Sequence, residues 1–576
     1  MKAIKNHFSS KFQEGFLWAM LICTLPANFW DQEVFNLPQK DRTELVLAIK
    51  PAGLDSYRRE KLAELLLAIK PQTEAILKEL YIELPETKAA GQISYPKATL
   101  EDNLARARVL TQWNRNSVVL ETLKSYEPLT CEASYLRSLA YRRLRQYNDA
   151  RQALKKSIEL CEGDFKKKAL FLNARIAAMS PSETALEVLD GFLKLYPKDS
   201  YSDDVLLWKA HTLKDLNKEK EAGVALEDLL KDYPEGDMRE QALFERALGL
   251  VLDGQLKTGL EHLERLRTVQ GIYWRGRLML YPDPQSLKLN SNLAQQIEGK
   301  KILTELAEKV PSSYYGYFAA RLVGLNSFSK PSEFILPKSS VLEADSVYQS
   351  LECFKKAGRL EEGVWIVDRL TRSYKTEAER QSLAQQYLDL KRPDKANQLM
   401  RDSGLAFPRL AYSNFPWPLS FSKAYFSEFQ KASKEAKMPL DWVMGQCREE
   451  SVFDAQVISW AGAVGLCQLL PSTARLSQNK LLNPETNIQV GALHLKELSD
   501  DLSHPLKIIA AYNAGKTAVK RWERLYGAGV PMDFFVEQIP YEQTRNYVKK
   551  VTSAWLTYSW LEGRLQKNFY SIENNL

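Results

Sequence analysis

Cysteine is scarce in this chain, with six in 576 residues, at positions 23, 131, 161, 353, 447 and 467. They have neither the spacing of a metal site nor the density of a disulfide scaffold, so neither feature organises the fold. Cys447 and Cys467 read as small core residues, with pairing the alternative in an exported chain. No stretch after the N-terminus is long and apolar enough to span a membrane. Sustained period-two alternation is absent, which argues against a sheet. Nucleic-acid motifs are absent too, so the net charge of +7 points to another anionic partner, such as a cell-wall polymer. No metal and no cofactor is expected.

What is present is length and apolar content. At 576 residues and 45% apolar, the chain predicts two or more ordered domains rather than one core or wholesale disorder. Lys2, Lys5 and Lys11 precede an apolar stretch from Gly15 to Pro26, and Thr24 and Ala27 supply small residues, so residues 1–27 read as an export signal. Glu14 is awkward for that reading, and a buried terminal helix would look similar. Ile22 directly before Cys23 argues against a lipoprotein signal. From about 40 to 410, apolar residues recur at three and four, which predicts helices throughout. Leu136–Leu160, Leu206–Leu230 and Leu243–Leu266 each divide into two short helical stretches, with Ala at 140, 210 and 247. Those spacings fit multiples of a unit near 35 residues, and Tyr196-Pro197 and Tyr233-Pro234 close successive units. A helix pair of this kind cannot bury its apolar face alone, so stacking into a solenoid is expected. Phe415-Pro416-Trp417-Pro418-Leu419 then favours an extended connection, and a boundary is placed near residue 415.

Beyond that boundary, Pro439 can begin a helix whose apolar stripe is Leu440, Val443, Met444 and Cys447. Glu450 continues the stripe, seven positions after Val443, whereas Glu449 is turned about one hundred degrees away. A carboxylate on a buried face is partly desolvated, which raises its pKa and suits it to act as an acid. Gly462 and Gly465 punctuate the following loop, Gly-Ala-Val-Gly-Leu-Cys-Gln-Leu-Leu-Pro at 462–471. Further on, Ala510-Ala511-Tyr512-Asn513-Ala514-Gly515 offers a phenol and an amide suited to orienting sugar hydroxyl and acetamido groups.

Together, Arg448-Glu449-Glu450-Ser451-Val452-Phe453, the loop and the Tyr512-Asn513 segment resemble the catalytic domain of the soluble lytic transglycosylases. Ser312–Leu322 and Glu537–Val548 also resemble segments of that family, strongly after 415 and more loosely before it. The resemblance implies an all-α fold: a helical superhelix over 40–410, a mainly α lysozyme-like domain over 415–560, and a C-terminal tail over 561–576. It implies that Glu450 is the catalytic acid and that Ser459, Gln468, Leu470, Tyr512 and Asn513 meet substrate. Gly462, Gly465, Cys467, Tyr541, Gln543 and Tyr547 would support them. Cys467 and Leu470 stand where the family often carries methionine, and Gln543 where a glutamate commonly precedes the threonine, which puts one supporting carboxylate in doubt.

The implied substrate is peptidoglycan, cut between N-acetylmuramic acid and N-acetylglucosamine. Glu450 would donate a proton to the glycosidic oxygen and then take one from the C6 hydroxyl, leaving a 1,6-anhydromuramic end. Ordinary glycosidases divide these tasks between two carboxylates. The rival readings are a lysozyme-like hydrolase that admits water and a noncatalytic peptidoglycan-binding scaffold that recruits cell-wall enzymes. A periplasmic or otherwise exported location follows from the signal reading. Because every proposed catalytic residue lies after Phe415, a fragment beginning there is expected to keep some chemical competence.

Overall fold

The computed structural model describes residues 56–565 apart from 125–129, 326–327, 329–332, 405–414, 460 and 528. The expected export signal, the start of the superhelix and most of the C-terminal tail lie outside the described residues. Every regular element among the described residues is a helix, and the only β features are isolated bridges at Ile458, Val464 and Leu469. The all-α expectation therefore holds.

The helix pairs share one turn. Asn114, Arg145, Asn217, Gly254, Gly358 and Lys391 all have positive φ. Each lies two residues after one helix ends and two before the next begins. In five of them the following amide donates to a carbonyl five residues back, as Arg115 does to Leu110 and Arg392 to Tyr387. That is the hydrogen bond by which a left-handed residue satisfies the last carbonyls of a helix. The intervals between these residues are close to one, two, one, three and one times a unit near 35 residues. The backbone thus carries the repeat more regularly than the side chains do.

The chain divides into two compact units, Met1–Leu216 with Glu343–Ser373, and Asn217–Leu342 with Tyr374–Leu576. In the first, helices Cys131–Arg143 (α1) and Tyr147–Leu160 (α2) form one such pair. Ala150, Leu154, Ala169, Leu172 and Ile176 make a buried cluster on α2 and its successor. A disulfide joins Cys131 to Cys161, at the start of α1 and just past the end of α2.

The second unit contains helices from both sides of residue 415. On one side are Val269–Leu280 (α3), Leu293–Lys309 (α4), Tyr314–Val323 (α5) and Pro393–Asp402 (α6). On the other are Leu440–Ser451 (α7), Pro484–Asp501 (α8), Pro505–Ala514 (α9), Met532–Glu537 (α10) and Glu542–Leu561 (α11). Phe415, Trp417 and Trp560 form an aromatic cluster, with Trp417 4.4 Å from Phe415 and 4.9 Å from Trp560 between ring centres. Rings at these separations bury area and fix orientation together.

Charged side chains fasten the same unit. Asp533 on α10 accepts hydrogen bonds from Tyr273 Oη (2.6 Å) and Arg277 Nε (3.1 Å) on α3, and Arg277 is fully buried. Glu537 accepts from Tyr315 Oη on α5 (2.7 Å), Trp274 Nε1 (3.3 Å), Gln270 Nε2 (3.2 Å) and Lys549 Nζ on α11 (2.8 Å). The Tyr314 amide donates to Ser553 Oγ at 2.9 Å. The aromatic run at 314–318 is therefore core, and Tyr315 adds a polar tie to it. Removing one partner from a buried pair of this sort strands a charge, at a cost of about 3–5 kcal/mol.

Candidate active site

Helix α7 brings Glu450 to the site. The helix begins after Pro439 and ends where Val452 and Phe453 take positive φ. One face is buried through Val443, Met444 and Cys447, as the stripe predicts. Gly445 lies so close to α11 that a Cβ there would meet Trp555 N at 2.6 Å. Only glycine permits that approach. It places the last turn of α7 against the part of α11 that carries Tyr547.

Tyr547 donates its phenolic hydrogen to Glu450 Oε1 and accepts from Gln446 Nε2. Glu450 retains some exposure, but burial dominates its electrostatics and pushes its pKa up to about 7. The Tyr547 hydrogen bond opposes that rise, and the nearby Glu449 charge adds to it. A carboxyl poised there can hold a proton near neutral pH and release it. The same desolvation, with the Glu450 charge, raises the pKa of Tyr547 well above its ordinary value, so the phenol stays a neutral donor.

Glu449 does point elsewhere, as expected, but into protein rather than solvent. Its side chain is only 2% exposed, bonded to Arg448 and to Arg401 Nη2 of α6 at 3.0 Å. Arg448 is itself fully buried, donates to Ser420 O at 2.8 and 3.0 Å, and lies 4.0 Å from the centre of the Phe421 ring. Two adjacent glutamates thus have opposite surroundings, one neutralised by guanidinium groups and one facing a phenol.

The loop after α7 is held in three ways. Cys447 on α7 is disulfide-bonded to Cys467, which corrects the reading of these residues as separate core thiols. Asn487 on α8, fully buried, accepts from Cys467 N (2.8 Å) and donates to Val464 O (2.9 Å) and Leu481 O (2.8 Å). Gly465, at φ 71°, sits where a Cβ would meet Asn487 Nδ2 at 2.6 Å. Tyr512 on α9 then donates its hydroxyl to Cys467 O at 2.8 Å.

These contacts bring most of the expected residues together. Gln468, at φ 47°, donates through Nε2 to Gly465 O (2.9 Å) and Val457 O (3.3 Å), so its amide braces the loop. Ser459 Oγ accepts from Ala463 N at 3.0 Å, and Gly462 takes the positive φ expected of it. Asn513 is exposed, and its Oδ1 accepts from Thr544 Oγ1 of α11 at 2.7 Å. Leu470 and Tyr541 are 40% and 49% exposed. Tyr541 packs edge-on to Trp522 at 5.4 Å. Gln543 is exposed on the first turn of α11, and the hydrogen bonds at Glu450 run through Tyr547 and Gln446 instead.

Gln446, Asn487 and Arg401 escaped the sequence reading. Gln446 had a signal, since it lies one helical turn before Glu450 and shares its face. The other two are ordinary polar residues on helices distant in sequence, with no local mark.

A desolvated acid on one helix, with a clamped glycine loop and a Tyr-Asn pair beside it, defines a candidate glycan-cleaving site. Comparison with known proteins agrees, because residues 427–531 match the transglycosylase SLT domain. The soluble lytic murein transglycosylase of Escherichia coli K12 is 31% identical over 183 residues, 27% of this chain and 28% of that protein. Its Salmonella typhimurium counterpart is 32% identical over 156 residues, 25% and 24% of the two chains. The matched stretch thus spans only about a quarter of these relatives' own length.

Solved structures extend the fold likeness further. The 70 kDa soluble lytic transglycosylase of Escherichia coli superposes with a TM-score of 0.56 at 20% identity, covering 96% of this chain and 92% of that one. An inactive variant of the Pseudomonas aeruginosa lytic transglycosylase Slt gives 0.53 at 19% identity, over 96% and 87%. Residues 427–531 thus carry a transglycosylase SLT domain, and the chain as a whole has an all-α fold like that of these solved structures.

Proposed function

We propose that the protein is a peptidoglycan lytic transglycosylase, with residues 415–560 as its catalytic domain and the preceding helices as its superhelix. The observation that carries this reading is the Glu450 carboxyl, held near neutral pKa by burial and bonded by one phenol. In the reaction, Glu450 protonates the glycosidic oxygen between N-acetylmuramic acid and N-acetylglucosamine. The bond to the muramic anomeric carbon breaks, and the N-acetylglucosamine side leaves as an alcohol. The acetamido group supports the positive charge that develops. Glu450, now a carboxylate, accepts the C6 hydroxyl proton as that oxygen closes on the anomeric carbon, giving the 1,6-anhydro end.

One group performing both transfers is consistent with the surroundings. Glu449 is occupied by two arginines, and no second carboxylate among the described residues joins the Tyr547 and Gln446 hydrogen bonds. Exposed Leu470 and Tyr541 suit contact with sugar faces, and Asn513 suits contact with sugar polar groups. The Gln468 amide acts by holding the loop. An exported, periplasmic location is supported by two disulfides, which persist in oxidising compartments. No described helix is long and apolar enough to cross a membrane.

Mass spectrometry of products from purified peptidoglycan tests the proposal. Anhydromuropeptides without added water are expected. Products one water heavier would select the hydrolase, and binding without cleavage would select the scaffold.

A further inference from the structure

We propose that Gln446 is a positioning residue for the acid: through Tyr547 it fixes which oxygen of Glu450 is bonded by the protein and which is left to carry the transferable proton. The proposal rests on the lytic reading of Glu450 and goes beyond it, to a residue one turn back on the same helix.

The geometry runs in one direction. Gln446 is fully buried, with its Oε1 lacking any partner and its Nε2 turned to the Tyr547 oxygen. An amide nitrogen only donates, so the phenol oxygen must accept there. The phenol hydrogen then goes to its other neighbour, Glu450 Oε1. Oε2 has no protein donor among the described residues, and it is the oxygen left for a proton and a substrate. Without Gln446 the phenol could rotate to accept from a protonated Glu450, which would draw the acidic hydrogen away from the glycosidic oxygen.

The packing keeps this arrangement in register. The absent side chain of Gly445 lets α7 approach α11 at Trp555, and Trp442 stacks on Trp555 at 4.6 Å. An unsatisfied buried Oε1 is a cost that a purely structural position could avoid by carrying an apolar residue. The titratable groups facing Glu450 are Glu449 from its own helix, Tyr547 from α11 and Tyr512 from α9. Both phenols are pushed well above their ordinary range, so neither changes charge while Glu450 titrates near neutrality, and Glu449 is held by Arg448 and Arg401.

The test uses the full chain on purified peptidoglycan, with kcat and KM followed against pH. Gln446→Met keeps the length of the side chain and removes the donor. It is expected to lower kcat about tenfold with KM within about twofold, and to move the high-pH loss of activity upward, because the Tyr547 bond that lowers the Glu450 pKa is weakened. Gln446→Glu offers the phenol an acceptor and adds a negative charge, so the same shift should be larger. In a Tyr547→Phe background, Gln446→Met should add little further loss, since its route is already cut. Circular dichroism checks folding. If Gln446→Met does not fold, Gln446→Glu and the Tyr547→Phe pair still decide.

An infrared pH titration of the carboxyl band that disappears in Glu450→Gln provides a readout independent of turnover. Unchanged kcat and an unmoved band in a folded Gln446 variant would overturn the proposal, as would full additivity with Tyr547→Phe. A band that moves while Glu450→Gln still cleaves glycan would instead sink the catalytic reading and leave the hydrogen-bond relay intact.

Discussion

At the seam formed by α3, α5, α10 and α11, every oxygen of Asp533 and Glu537 meets a donor, whereas at the end of α7 Glu450 meets a single phenol. Both regions bury carboxylates, and the surroundings decide what each can do. At the seam, Arg277 pairs with Asp533 and Lys549 with Glu537, and the carboxylates act as fasteners. At Glu450 no cation among the described residues pairs with the carboxyl, and burial, opposed only by the Tyr547 hydrogen bond, brings its pKa to about 7, where a proton can be taken up and released. Glu449 repeats the seam's solution beside the acid. A carboxylate is made structural by its cations and chemical by their absence.

Substitutions at the two regions should therefore fail differently. Glu450→Gln keeps the shape and removes the titrating proton. Its glycan cleavage should fall by at least about a thousandfold, on a fold intact by circular dichroism. Activity near the parent's in a purified assay would erase the distinction. At the seam, Arg277→Leu leaves Asp533 buried without its cation and should cost about 3–5 kcal/mol in urea unfolding, provided unfolding of this unit is followed separately. Glu449→Gln should likewise destabilise, by about 3 kcal/mol, as it removes the carboxylate that pairs with Arg448 and Arg401. Turnover per folded molecule should change far less than in Glu450→Gln.

A smaller effect is expected from the cross-link beside the acid. Replacing Cys447 and Cys467 by alanine releases a loop of about twenty residues, which loop-closure entropy values at up to ~3 kcal/mol. Asn487 and Tyr512 still hold the loop, so residual cleavage should remain, and its complete loss would mean that the disulfide alone sets the site.

A last effect sharpens the comparison by sign. Burial raises the folded pKa of Glu450 from 4.5 to about 7, so the folded state binds the proton more tightly than the unfolded chain. Below pH about 4.5 both states are protonated and the parent keeps this contribution in full. As pH rises from about 4.5 to about 7 it is progressively lost. Glu450→Gln, which cannot ionise, should therefore melt above the parent at pH 8, with the gap narrowing towards pH 4. A gap that widened on acidification would reverse the assignment of the two carboxylate environments.

Much of the site was legible in the sequence because its signals are local. The stripe ending at Glu450 is a matter of helical period, and the loop glycines mark backbone that other residues resist. The disulfide was offered only as an alternative, since a spacing of twenty residues does not distinguish two core thiols from a bond. Gln468 was read as meeting substrate, and the bonds of its amide nitrogen to Gly465 O and Val457 O carried no signal in the sequence. Gln446 was marked only by its place one turn before Glu450, and its bond to Tyr547 became visible once α7 was seen to meet α11 at Gly445. In the repeat region, helices were evident from apolar spacing, yet the common turn was not, because Asn, Arg, Gly and Lys all fill the same left-handed position. Least legible was the seam, where the partners of Asp533 and Glu537 on α3 and α5 lie more than two hundred residues away and carry no mark of them.

That seam changes what counts as a transferable part. By residue roles alone, the stretch from Phe415 looks like a cassette that could be cut out or grafted onto another carrier. Yet it would travel with Asp533 and Glu537 stripped of Tyr273, Trp274, Arg277 and Tyr315. A lineage that recombined at residue 415 would inherit the proposed reacting groups on a scaffold with open sockets. The smallest piece that could be inherited whole therefore begins well upstream, with the helices that fill those sockets.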